Sequence, residues 1–208
     1  MSDSQQLIKQ LASDASPVTP LPSTGIRVVK WLAVGLPLAA LFSVLVHRGF
    51  TDWHQPGAGL ALLQLAVSAA IGYAAVLNAF LAVTPGRPTI PIVRFVLGGG
   101  LWLLLNIISI PQSGVQVTEQ HGTFCYLFLI VVSLPMIVSL LWTLYRGGGL
   151  HSRLSLLMAG IGVAAWAVSL LSLCHAVQQG RFDLLMHVAA AATIIIATLV
   201  IGRITLLR

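Results

Sequence analysis

Two cysteines and six histidines are the residues of this chain with the types needed for redox or metal chemistry. His47, His54, His121, His175 and His187 fall on the same side of the chain's apolar runs as Cys125 and Cys174, and so do Asp52, Glu119 and Asp183. Only His151 maps to the other side. A thiol pair in an oxidising compartment makes a disulfide or a redox switch. Thiolate and imidazole together make a site for a soft or borderline metal ion. Three readings stand side by side. In the first, the cysteines are small packing residues and the histidines sit at an interface. In the second, Cys125 and Cys174 form a disulfide or redox switch. In the third, Cys125, Cys174 and His187 bind a metal ion, with Glu119, His121 or His175 as further ligands.

These residues must be positioned by a chain that is 57% hydrophobic and 8% charged over 208 residues, with a mean hydropathy of +0.95. A soluble domain carries about a quarter charged residues. Sixteen charges cannot cover a water-soluble protein of 22 kDa. Soluble enzyme, disulfide scaffold and disordered chain are excluded together. The apolar runs are long and do not alternate with polar residues, so the class is all-α and integral to a membrane. The pI near 10.2 does not mark a nucleic-acid protein, because the basic residues stand singly between apolar runs.

A span needs about 20 apolar residues. Six stretches qualify, about Trp31–Val46, Leu60–Val83, Pro91–Ile110, Phe124–Leu144, Leu154–Cys174 and Leu184–Ile201. The first run leaves through Val46-His47-Arg48, which lacks a small-residue cleavage site, so it reads as a retained span. Nine of the eleven basic residues lie on one side: Lys9, Arg27, Lys30, Arg87, Arg94, Arg146, Arg153, Arg203 and Arg208. Arg48 and Arg181 lie on the other. The excess of basic residues on cytoplasmic loops then puts both termini in the cytoplasm. The cysteine-bearing side faces outward. Pro37 and Pro135 are expected to kink their helices. Gly98-Gly99-Gly100, Gly160 and Gly162 are expected to permit close helix approach, and Asn78 and Asn106 to bond between helices. No internal repeat and no intramembrane charge relay supports a transporter.

Depth can be read from the connections. The sequence midpoint of Cys125 and Cys174 falls at Gly149 and Leu150, inside the turn joining the fourth and fifth spans. At about 1.5 Å rise per residue, the two thiols then end at nearly one level. The midpoint of Cys174 and His187 falls by Gly180, in the next outer turn, so all three share a depth. Depth does not fix which way a helix face points.

Before the first span, Leu7, Ile8, Leu11 and Ala15 make one apolar stripe on a short helix that ends before Pro17. A helix of about ten residues is marginal alone in water. It is suited to a hydrophobic groove on a partner, or else it is a leader or a strip lying on the membrane.

The leader Leu7-Ile8, Leu11-Ala12, Asp14 and Pro17-Val18, ahead of six spans, resembles the negative regulator of sigma F (NrsF) family of bacterial membrane anti-sigma factors. Gly122-x-x-Cys125, Leu134-Pro135, and Cys174 before His187 stand in the family's order, although the usual His-Cys pair is here reversed as Cys174-His175. The resemblance covers nearly the whole chain. It implies a multi-pass protein of the bacterial inner membrane without enzymatic activity. A cytoplasmic segment, residues 1–29, would bind an extracytoplasmic-function sigma factor through Leu7, Ile8, Leu11, Ala12, Asp14, Pro17 and Val18, and residues 30–208 would form the six-helix membrane domain. Cys125 and Cys174 would take part in sensing stress. The implied partners are the sigma factor and the lipid bilayer, with no direct nucleic-acid contact. No cofactor is expected beyond a metal ion sensed at the outer face. The alternatives are a membrane thiol oxidoreductase, which normally needs a second cysteine pair, and a haem- or metal-binding protein. A haem would need two histidines facing each other in the bundle, whereas only His187 falls inside an expected span.

Overall fold

Backbone polar groups inside a bilayer have no water to bond, so apolar runs of this length close their hydrogen bonds within helices. In the computed structural model, residues 3–13, 22–46, 49–110, 119–147, 152–177 and 180–206 are described. They form α1 (Asp3–Ser13), α2 (Thr24–Ser43), α3 (Ala58–Ala82), α4 (Ile92–Ser109), α5 (Glu119–Arg146), α6 (Arg153–Leu171) and α7 (Arg181–Leu206). Among the described residues there is no strand. Six helices, α2 to α7, are long and apolar enough to cross a membrane, and the chain is a multi-pass membrane protein.

The bundle is built around α6. Of its membrane window 61% is buried inside the protein, against 11% for α4. The difference arises from residue size. Small residues on α6 let its neighbours come close, and a helix apolar all round is stable only when surrounded. A Cβ on Gly162 would meet Val76 Cγ2 of α3 at 2.6 Å, and one on Gly160 would meet the Ile195 Cα of α7 at 3.0 Å. These two glycines therefore do what the sequence suggested. Gly98 comes near Ile71, but nothing lies within 4 Å of a Cβ built on Gly99 or Gly100, so the triplet is not a close helix crossing as expected. α4 instead lies at the edge, with Val96, Leu97, Leu104 and Ile108 exposed to the surrounding medium.

The first span departs most from expectation. It begins at Thr24, seven residues before Trp31, and takes in Arg27 and Lys30. Lys30 stays exposed, but Arg27 is buried with its guanidinium 4.5 Å above the Phe80 ring and against the turn at Gly147. A cation over an aromatic face recovers part of the cost of burial. The buried residues Arg27, Val28, Trp31, Gly35 and Ala39 form one stripe, and Trp31 Nε1–H donates to Ser139 Oγ at 3.2 Å. That bond ties α2 to α5 one turn beyond Pro135, which lies inside α5 as Pro37 lies inside α2.

The buried amides divide. Asn78 bonds the backbone N–H and C=O of Ile90, bracing the entry to α4. Asn106 Nδ2 donates to Trp102 O within its own helix, so it is not the expected interhelical link from that group. The link between α3 and α4 is made by Gln64, whose Nε2 donates to Leu105 O.

Candidate functional site

Three ligand atoms, from Cys125, His175 and His187, lie within 4.8 Å of one another at one end of the bundle, all on buried residues. Each comes from a different element. Cys125 stands near the start of α5, His187 lies in the second turn of α7, and His175 sits in the irregular segment after α6.

That segment is shaped by how α6 stops. Ser172 bonds back to Val168 through both its N–H and its hydroxyl, and the Leu173 and Cys174 N–H groups donate to Leu170 and Leu171 carbonyls. These are turn bonds that tighten a helix end. Thr51, from the connection between α2 and α3, then locks the stretch from Ser172 to His175. Its N–H donates to Leu173 O at 3.0 Å. Its hydroxyl proton is shared between the carbonyls of Ser172 and His175, both at 2.8 Å, and its oxygen accepts the His175 N–H at 3.1 Å. The backbone of His175 is held on both sides by one residue over a hundred positions away.

The ring of His175 is oriented as well. Its Nδ1 lies 2.7 Å from Ala176 O, and a carbonyl can only accept, so Nδ1 carries the proton and the neutral ring keeps its lone pair on Nε2. The His175 and His187 rings meet edge to face with centroids 5.5 Å apart. Beside them is a niche of about 10 Å³ lined by both histidines, Gln64, Asn106 and Ser172. That volume is the size of one water or one ion. The facing histidines that a haem would require are present, but a niche of this size has no space for a porphyrin between them.

Asp183 lies one helical turn before His187 on the same face of α7. Its Oδ2 accepts the Gly180 N–H at 3.2 Å, the acidic half of a capping box at the start of α7. Its Oδ1 is buried and makes no hydrogen bond among the described residues.

The structure brings Cys125 and His187 together, as their common depth allowed, and adds His175. Cys174 is half-buried, is not joined to Cys125 by a disulfide, and its sulfur is not one of the three clustered atoms. The expected fifth span extended to Cys174, whereas α6 ends at Leu171 and the chain turns there. Glu119 and His121 lie in the first turn of α5, with side chains outside the described residues. His54 is exposed and its N–H bonds Asp52. His47 and His151 lie outside the described residues. Thr51 and Gln64 carried no sequence signal, because their partners are distant backbone atoms.

At the opposite end of the chain, α1 presents Leu7, Ile8 and Leu11 exposed, at 59%, 64% and 64% of their surface. Ala12 lies on the same helix, and Asp14, Pro17 and Val18 fall outside the described residues.

The family model described as negative regulator of sigma F, NrsF, matches residues 11–208. The chain belongs to the NrsF family. No curated protein and no solved structure matches it. As an NrsF protein it is a negative regulator of a sigma factor, and a sigma factor is its partner. The NrsF match takes in all six candidate spans and the end of α1 from Leu11 onward.

Proposed function

We propose that this NrsF protein is an inner-membrane anti-sigma factor that holds an extracytoplasmic-function sigma factor through its cytoplasmic α1 segment, and releases it when the end bearing Cys125 and Cys174 senses stress. The observation that carries this reading is the exposed apolar stripe of Leu7, Ile8 and Leu11 on a helix outside the spans of a sigma regulator. Three such side chains left in water are unusual for a folded segment. Each stabilises a complex by about 1.5–3 kcal/mol when fully buried. Ala12, Asp14, Pro17 and Val18 extend the contact beyond the stripe. The nine-to-two division of basic residues supports a cytoplasmic placement of both termini and an outward placement of the cysteines.

A physical route between the two ends runs along α5. This helix carries Cys125 near one end, while its other end, at the Gly147 turn, packs against Arg27. Arg27 and Trp31 stand on the first turns of α2, the helix that α1 leads into, and Trp31 is bonded to Ser139 of α5. A shift of α5 therefore reaches the root of the sigma-binding segment. Cys174, half-buried beside His175, is the thiol that meets solvent first. Release requires the changed state to favour the sigma-free conformation by a few kcal/mol.

The test is capture of a sigma factor from cells by the full-length membrane protein, with Leu11→Asp as the comparison. Recovery with the wild-type chain and loss with a normally inserted Leu11→Asp chain supports the reading. Equal capture by both places the sigma contact elsewhere.

A further inference from the structure

We propose that Cys125, His175 and His187 form a mononuclear site for a late closed-shell transition-metal ion, Cu(I) or Zn(II), with Cys174 outside the ligand set. This rests on the sensing half of the proposed function and sharpens it. Three features point to it. One thiol and two imidazoles converge within 4.8 Å from three separate elements, all buried. The mixture of one soft sulfur and two borderline nitrogens suits these ions over Mg(II) or Ca(II), which take oxygen ligands. The His175 ring is already set for ligation, because its Nδ1–H is committed to Ala176 O and directs the Nε2 lone pair. Metal-bound histidines are held in this way by an outer hydrogen bond.

Donors on one Zn(II) or Cu(I) ion stand roughly 3.4–3.6 Å apart, given metal–sulfur and metal–nitrogen bonds of about 2.3 and 2.0–2.1 Å. Binding therefore draws the three ligand atoms of α5, α7 and the segment after α6 together by up to about 1.4 Å. The Cys125 thiol gives its proton to solvent as the sulfur–metal bond forms. Charge separates the two ions. Cu(I) is neutralised by the Cys125 thiolate alone. Zn(II) leaves one positive charge in a buried site and calls for a second anion, for which Asp183 is the buried acid on the same face of α7, with Oδ1 making no hydrogen bond among the described residues.

The experiment is a titration of the purified full-length protein in nanodiscs with Cu(I) or Zn(II) against a chromophoric chelator of known affinity. One equivalent per chain is expected, with wild-type affinity in Cys174→Ser. His175→Ala and His187→Ala should each lose well over the roughly 10–100-fold that an outer partner is worth. Asp183→Asn should weaken Zn(II) binding and leave Cu(I) binding unchanged. Cys125→Ser should abolish binding; if that variant does not fold, X-ray absorption of the loaded wild-type protein decides: one sulfur and two imidazole nitrogens support the site, and two sulfurs overturn it. Absence of stoichiometric binding also overturns it, as does binding that survives His175→Ala but fails in Cys174→Ser. Failure here leaves sigma capture by α1 untouched, and failure of sigma capture leaves this titration untouched.

Discussion

The Cys125 end of the bundle and the α1 helix invert the ordinary distribution of polarity in opposite ways. At the first, polar side chains are buried: His175, His187, Asp183, Thr51 and Gln64 are all withdrawn from the surface. At the second, Leu7, Ile8 and Leu11 are exposed. Burying polar groups is tolerated where partners are fixed in advance, and Thr51 supplies several of those partners to one segment. Exposing apolar groups is tolerated where burial is deferred to a complex. The first region holds a ligand-sized polar site ready. The second holds an apolar surface ready. The proposed regulator, taking a signal at one place and a protein at another, needs both.

The largest expected effect breaks the α1 side. Leu11→Asp would place a charge in the partner's apolar groove and cost several kcal/mol of binding, about 3 or more. The sigma regulon should then be constitutively on while immunoblotting shows the protein still in the membrane. Normal repression by that variant would remove α1 from the contact. Lys9→Ala, a charged exposed position on the same helix, should change binding by no more than about 0.5 kcal/mol and so mark the baseline.

Next in size is the packing of α3 against α6 at the middle of the bundle. Gly162→Ala puts a methyl 2.6 Å from Val76 Cγ2 and 3.1 Å from the Val76 backbone nitrogen. Overpacking of this kind costs about 1–3 kcal/mol. Thermal unfolding in detergent should show the loss, and an unchanged midpoint would mean that α3 and α6 part easily.

A smaller effect sharpens the polar side alone. Thr51→Val keeps the shape but removes the hydroxyl that serves Ser172 and His175, for about 1–2 kcal/mol. Its specific readout is faster alkylation of Cys125 in membranes, because the segment covering that thiol loosens. No change in the alkylation rate would separate the segment from the cluster. The smallest perturbation needs no mutation. In the wild-type protein, half-buried Cys174 should react with a polar maleimide faster than fully buried Cys125, and equal rates would contradict the placement of both thiols.

The legible parts of the sequence were those set by local rules. The stripe Leu7, Ile8, Leu11 announced α1, and the six apolar runs announced α2 to α7 to within a few residues at most ends. Arg27 hid the true start of α2, because its compensation by Phe80 comes from another helix. Asn106 looked like an interhelical bond and instead donates to its own turn, whereas Gln64, which carried no signal, joins α3 to α4. For Arg27 and Gln64 the missing information was a partner distant in sequence.

The amino-acid sequence by itself determined the solvent and the number of candidate spans, because hydrophobicity is a property of the local chain. It placed Cys125 and His187 at a common depth. Only the tertiary structure decided that His175, and not Cys174, completes the group. Helical rise fixes height and leaves azimuth open, and the end of α6 at Leu171, held by Thr51 from another connection, turns the chain so that the imidazole joins the cluster.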